Sequence, residues 1–136
     1  MGTESVAAIN SASDLTLTAA LDLGDSLEQL TKSGTEVIVD FTTPDAVMKN
    51  LEFAISNGIH LVVGTTGFDE VKLSKLKDLL SKHPKVGALV APNFGLGAVL
   101  MMQFSQTAAK YFESAEIIEL HHANKVDAPS GTAIRT

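Results

Sequence analysis

The sequence predicts an α/β protein with a mostly parallel sheet and helices flanking it. Three observations carry that prediction. The apolar runs at residues 36–41, 59–63 and 86–90 do not alternate with polar residues, as expected of strands buried on both faces. Between them lie segments whose apolar residues recur at helical spacing. The links are short and built from Gly, Pro, Thr and Asn. Strand, helix and strand in that order fold into a parallel sheet of Rossmann type.

Taken in order, residues 3–13 place Val6, Ile9 and several alanines on one side, which predicts a helix starting at Gly2. Residues 15–21 alternate Leu with Thr and Ala and predict a strand ending at Asp22. A dinucleotide fold places a glycine at its first helix start. About 20 residues on, an acidic side chain accepts hydrogen bonds from the adenosine ribose. Gly2 and Asp22 stand at those positions, and no Arg follows to hold a 2′-phosphate, which favours NADH over NADPH. The plain alternative for Asp22 is a solvated residue at a strand end.

Residues 25–30 predict a short helix and Ser33-Gly34 a turn. Thr43-Pro44-Asp45 reads as a helix start, with a capping Thr, Pro in the first position and an acid in the first turn. Val47, Leu51, Ala54 and Ile55 form the inward stripe of that helix, and Asn57-Gly58 ends it. His60, at the beginning of the 59–63 strand, reads as structural. Gly64-Thr65-Thr66-Gly67 follows that strand, where glycines allow positive φ and the threonines offer hydroxyl and N–H groups. Taken alone it is a tight turn. Asp69 caps a helix with Val71, Leu76, Leu79 and Leu80 inward, which stops at His83-Pro84. Ala91-Pro92-Asn93-Phe94 leaves the 86–90 strand, and a helix over 98–112 carries Met101, Met102 and Phe104 as core candidates. Residues 115–120 predict a further buried strand.

Composition narrows the function classes. With 136 residues the chain can build one real core, hiding roughly two-thirds of its unfolded surface. A hydrophobic content of 45% argues against disorder. A net charge of −6 supplies no electrostatic footprint for nucleic acid or an anionic membrane. No Cys is present, so disulfide and thiolate chemistry is excluded. No apolar run is long enough to span a bilayer and the first residues lack a signal-peptide pattern, so the expectation is a cytoplasmic enzyme.

Chemistry is concentrated in the fourteen residues Glu119-Leu-His-His-Ala-Asn-Lys-Val-Asp-Ala-Pro-Ser-Gly-Thr132. They follow the last predicted strand, where sites in open α/β sheets form. Ser130-Gly131-Thr132 reads as a helix start whose free N–H groups make an anion cradle. Lys125 and His122 beside it suit a ligand with carboxylates, and His121 supplies an imidazole, a group that ordinarily titrates near neutral pH. Each feature alone has a bland counterpart, a surface His pair or an ordinary N-cap. Zinc is disfavoured: adjacent histidines diverge on an extended backbone, Cys is lacking, and Glu119 and Asp127 complete no known ligand spacing.

His121-His122-x-x-Lys125-x-Asp127-Ala128-Pro129-Ser130-Gly131-Thr132-Ala133 resembles the signature of the 4-hydroxy-tetrahydrodipicolinate (dihydrodipicolinate) reductase family of the diaminopimelate route to lysine. Asp40-Phe41-Thr42, Gly64-Thr65-Thr66-Gly67-Phe68 and Ala91-Pro92-Asn93-Phe94 resemble further family segments in the family's order. The resemblance implies reduction of 4-hydroxy-tetrahydrodipicolinate, with loss of water, by NADH or NADPH. It implies His121 as the acid that protonates the intermediate and Lys125 as a second proton donor and carboxylate partner. His122, Ser130, Gly131 and Thr132 would hold a substrate carboxylate, with Asp127 orienting Lys125 or the loop. Gly2, Asp22, Phe41, Gly64, Thr65, Thr66, Ala91, Pro92, Asn93 and Phe94 would hold the cofactor. It further implies a dinucleotide-binding domain over 1–114, the start of an α+β substrate domain over 115–136, and a homo-oligomeric parent.

One departure is large. The family opens with a strand and a Gly-x-x-Gly-x-x-Gly turn, of which Met1-Gly2 matches only the end. The expectation is a fragment whose missing first strand leaves a sheet edge open. The alternatives are another nicotinamide-dependent reductase of an anionic substrate, or an inactive piece of this one.

Overall fold

The computed structural model describes residues 1–136 apart from Thr66, Pro92, Asn124, Val126 and Asp127. The chain divides into two compact units, Met1–Val90 and Ala91–Thr136.

The first unit is built on a parallel sheet in the order β1 (Val37–Asp40), β2 (His60–Val63), β3 (Ala88–Val90). Ile38 registers with Leu61, which in turn registers with Ala88, so side chains alternate in step across all three strands. One face carries Ile38, Leu61, Val63 and Val90 into the core. Helix α3 (Val47–Ser56) covers it with Val47, Leu51, Ala54 and Ile55, all fully buried. These four lie on one stripe of the helix, as their spacing requires. Burying each large member is worth roughly 1.5–3 kcal/mol, so this stripe is the principal stabilising contact of the unit. Helix α4 (Glu70–Lys82) packs beside α3 and contributes Leu76. Its N-cap is Asp69, whose Oδ1 accepts the Lys72 N–H at 2.8 Å. His60 is structural, as expected: its Nδ1 accepts the Gly87 N–H at 2.9 Å, fastening β2 to the entry of β3.

The opposite face of the sheet is less covered, with Val62 half-buried at its centre. Val37, Val39 and Leu89 are 50%, 43% and 56% exposed. The expectation that 36–41 is buried on both faces is therefore corrected, because α3 and α4 supply cover on one side alone. Among the described residues β1 pairs with β2 alone. The strand expected at 15–21 does not form. Ala19 and Leu21 do pack on the core, as a two-residue period requires, but periodicity names a face and not a ladder partner. Helix α1 runs Gly2–Ser11 as expected, with Val6 and Ile9 half-buried.

Several boundaries shift. Helix α2 is Glu28–Lys32, later than the expected 25–30. Helix α3 begins at Val47 because residues 43–46 form a turn in which the Thr43 carbonyl accepts the Ala46 and Val47 N–H groups. Val71, expected inward on α4, lies on its exposed side.

The second unit contains α5 (Leu96–Ala108), a 3₁₀ turn (Ala109–Tyr111) and α6 (Gly131–Arg135). On α5 Met102 is buried while Met101 and Phe104 are exposed, so one of the three core candidates serves as core. Residues 115–120 form no strand, and Ile118 is 84% exposed, against the expected buried strand. An apolar run becomes a strand only where a neighbour offers N–H and C=O groups in register, and no described residue does so here.

Candidate functional site

In the first unit the turns after β1 and β2 leave the sheet side by side, because Asp40 and Val63 are register partners. That is the carboxyl edge of a parallel sheet, where ligands bind in such folds. Asp40 is buried at the end of β1 beneath α3. Its Oδ1 accepts the Thr42 N–H at 2.9 Å, the Thr42 hydroxyl at 2.7 Å and the Thr65 hydroxyl at 2.7 Å. Its Oδ2 accepts the Asn50 side-chain N–H of α3 at 2.8 Å. One carboxylate thus joins both strand-end turns to the helix above them. Lys72 adds a second tie, donating to the carbonyls of Pro44 at 3.1 Å and Gly67 at 3.0 Å. Gly67 has φ +81, and a Cβ there would stand 3.0 Å from Pro44 Cβ, so glycine suits this turn.

The expected cofactor residues of this unit are placed as follows. Phe41 and Gly64 are half-buried at the strand ends, and Thr65 is buried with its hydroxyl committed to Asp40. Its side chain therefore supports the turn, and its backbone is what the turn presents. Asp22 is exposed in a turn and accepts the Leu23 N–H at 2.7 Å, while Gly2 is exposed at the start of α1. An exposed carboxylate acceptor and two adjacent strand-end turns fit a nicotinamide dinucleotide in chemistry. Thr66 lies outside the described residues.

In the second unit Asn93 is bonded on both sides of its amide. Oδ1 accepts the Gly95 N–H at 2.7 Å, fixing the start of α5, and Nδ2 donates to the Thr132 hydroxyl oxygen at 3.0 Å. The segment leaving β3 is therefore joined to the Ser130-Gly131-Thr132 turn. Ala91 is half-buried and Phe94 is partly exposed, while Pro92 lies outside the described residues.

Ser130 caps α6 as expected, its hydroxyl oxygen accepting the Ala133 N–H at 3.1 Å. It is also buried, and its remaining donors are spent inside the protein: the Ser130 N–H donates to Glu119 Oε1 at 2.8 Å and the hydroxyl to Glu119 Oε2. Ser130 thus supports the turn from within. Gly131 is exposed and Thr132 half-buried; their N–H groups open α6, where a helix has no internal acceptors. His121 and His122 are exposed, and Lys125 is half-buried with its N–H donating to the His122 carbonyl at 3.1 Å. Asp127 lies outside the described residues.

Glu119 was not foreseen in this role. The Ser130 hydroxyl and N–H, with His121 Nε2 at 3.1 Å from Oε2, hold its carboxyl below the usual carboxylate value. A signal for it existed: Glu119 and His121 are two residues apart, so on an extended segment they share a side. Because the folded protein favours the ionised form, the clamp is complete above the ordinary carboxylate range. It is lost as pH falls through the lowered value. In an NMR acid titration the Ser130 amide should shift with a midpoint below that of a solvated glutamate.

A groove of ≈550 Å³ is lined by Ile117, Glu119, Ala128, Pro129, Ala133 and Ile134. Its lining is largely apolar and includes neither His121 nor Lys125, so it is a poor match for a dicarboxylate. Among the described residues no set of His, Asp and Glu side chains is arranged to hold a metal ion. No helix among them is long and apolar enough to cross a membrane.

Comparison with known proteins agrees across both units. Residues 1–94 match a family model described as dihydrodipicolinate reductase, N-terminus, and residues 97–136 match the corresponding C-terminus. The 4-hydroxy-tetrahydrodipicolinate reductase of Nocardia farcinica is 58% identical over 130 residues, covering 96% of this chain and 52% of that protein. The enzyme of the same name from Mycobacterium marinum is 57% identical over 136 residues, covering 100% and 56%. A solved structure of dipicolinate-bound dihydrodipicolinate reductase from Paenisporosarcina sp. TG-14 superposes with a TM-score of 0.76 at 36% identity. The match covers 98% of this chain and 58% of that one. The chain spans about half the length of the curated relatives it matches.

Proposed function

Because the chain belongs to the dihydrodipicolinate reductase family, we propose that it supplies the cofactor segment and the catalytic loop of a 4-hydroxy-tetrahydrodipicolinate reductase. That enzyme would serve the diaminopimelate route to lysine, using NADH or NADPH. The observation that carries the reading is the Asn93–Thr132 hydrogen bond, made across 39 positions of sequence. It fastens a strand-end segment of the cofactor type to the turn suited to a substrate carboxylate.

The functional division we propose is a cofactor segment over 1–114 and the opening of the substrate segment over 115–136. The acid–base and anion-binding side chains all fall in the latter. In the former, the backbone of Gly64 and Thr65, with Phe41, Ala91, Asn93 and Phe94, would hold the nicotinamide end of the cofactor, and Asp22 the adenosine ribose. When bound, the reduced nicotinamide supplies the hydride. Lys125 and the N–H groups of Gly131 and Thr132 take one carboxylate of the substrate, with His122 at the rim. His121 hands over the proton that balances the hydride, and the 4-hydroxyl leaves as water together with a hydrogen from the neighbouring ring carbon. Ser130 acts one step back, by shaping the turn. A cytoplasmic setting and an oligomeric parent suit such an enzyme.

The test is NADH and NADPH oxidation by the intact enzyme that carries this chain. The substrate would be generated in place and compared with other anionic imines and 2-oxo acids. Oxidation restricted to 4-hydroxy-tetrahydrodipicolinate, with competitive inhibition by dipicolinate, is the expected result. Equal rates with unrelated anionic substrates would assign the chain to a different nicotinamide-dependent reductase.

A further inference from the structure

We propose that Glu119 is a positioning residue that sets the proton carrier and the anion-binding turn together through one carboxylate. Three hydrogen bonds carry the proposal. Glu119 Oε1 accepts the Ser130 N–H at 2.8 Å, and Oε2 accepts the Ser130 hydroxyl and lies 3.1 Å from His121 Nε2. Ser130 is buried and caps the helix whose first N–H groups belong to Gly131 and Thr132. A displacement of Glu119 therefore moves the cap, and the cap carries the two N–H groups with it.

The second consequence concerns the imidazole. An ionised carboxylate can only accept, so the nitrogen facing it must carry a proton. Glu119 thereby assigns Nε2–H to neutral His121 and leaves Nδ1 as the nitrogen that exchanges its proton with a ligand. Glutamate at this position does what neither partner does alone: it ties the orientation and tautomer of His121 to the placement of the carboxylate cradle. An ordinary exposed ion pair would contribute little and would need no second partner. Here the same oxygen serves a buried serine, which anchors the pair to the fold.

The inference rests on the reading of His121 as the proton donor, and the experiment separates the two. In the intact enzyme, Glu119→Gln keeps the side-chain volume and the acceptor for the Ser130 N–H. It also presents an NH₂ where Oε2 stood. Neutral His121 should shift toward the Nδ1–H tautomer, read from its imidazole ¹⁵N resonances. The kcat should fall about 10–100-fold, part of the contribution expected of a general acid. The NADH dissociation constant should stay within about twofold, which reports an intact cofactor segment. Glu119→Ala should in addition raise KM for the dicarboxylate by about tenfold, the size expected from losing one charge-assisted contact. In an His121→Ala background, Glu119→Gln should add no further loss in kcat, since the two act as one unit.

An unchanged tautomer in Glu119→Gln, or kcat losses that multiply in the double variant, would overturn the proposal. If His121→Ala is impaired and Glu119→Gln is not, the inference alone falls. If His121→Ala turns over at the wild-type rate, the assignment of His121 falls, and the proposal falls with it.

Discussion

Turnover of the intact enzyme should fall about 10²–10⁴-fold in His121→Ala, equivalent to about 3–5 kcal/mol of transition-state stabilisation. The affinity for NADH should be unaltered. On the proposed reading each hydride is matched by a proton, and His121 would deliver it. It is accessible, it sits two residues from the carboxylate that orients it, and it lies in the same loop as Lys125 and the Ser130-Gly131-Thr132 turn. A group used only in the transition state lowers kcat and kcat/KM together when it is removed. Lys125→Met should behave differently. On the proposed reading the ammonium would hold the carboxylate as well as deliver a proton, so KM should rise along with the loss in kcat. Steady-state kinetics with saturating NADH separates the two patterns. Wild-type turnover in His121→Ala would remove that residue from the mechanism.

The parts of the fold that were legible beforehand are those decided within one element. The stripe Val47, Leu51, Ala54 and Ile55 follows from helical spacing, and Asp69 as a cap follows from its place before a helical run. The parts that were not legible depend on a neighbour. Residues 15–21 and 115–120 have the pattern of strands and remain unpaired, because sheet formation is a property of two segments. Val37 and Val39 belong to an apolar run, yet whether a second helix layer covers them is invisible along the chain. Met101, Phe104 and Val71 fail for the same reason, since which side of a helix finds a partner is settled by packing.

The site divides similarly. Ser130 as the cap of α6 was readable from Pro-Ser-Gly-Thr, and His60 as structural from its place at a strand start. Thr65, Ser130 and Asn93 are expected to meet ligands, and in the structure their side chains also make bonds within the protein: Thr65 to Asp40, Ser130 to Glu119, and Asn93 to Thr132 and Gly95. A polar residue near a site reads alike whether or not it also braces a neighbour, because partners 25 and 39 positions away are not legible along the chain. Asp40 braces the turns through Thr65, 25 positions away, which the sequence does not display, whereas for Glu119 the spacing to His121 is legible and the bond to Ser130 is not.

The second large effect belongs to Asp40. Asp40→Ala should destabilise the intact protein by about 3 kcal/mol, within the range for unmaking a buried, charge-assisted network. Asp40 is 4% exposed, and its carboxylate is the close acceptor for both turns. The Thr65 hydroxyl is itself buried, and Asn50 is held on α3 above the strand ends. Deleting the carboxylate leaves these two donors only longer contacts of 3.4 Å, from the Thr65 hydroxyl to the Asp40 carbonyl and from the Asn50 amide to the Thr42 hydroxyl oxygen. A poorly made buried bond costs more than a made one contributes. Asp40→Asn should cost less, about 1–2 kcal/mol. Its carbonyl replaces one oxygen, but its NH₂ then competes with the donor of Asn50 or of the threonines. Urea unfolding should show a lower midpoint with an unchanged slope in both variants, in that order of severity. Since Asp40 holds both strand-end turns, KM for the nicotinamide cofactor should rise in Asp40→Asn while KM for the dicarboxylate moves little. An unfolding free energy for Asp40→Ala within about 0.5 kcal/mol of wild type would mean that solvent satisfies these donors, and that the network does not set the turns.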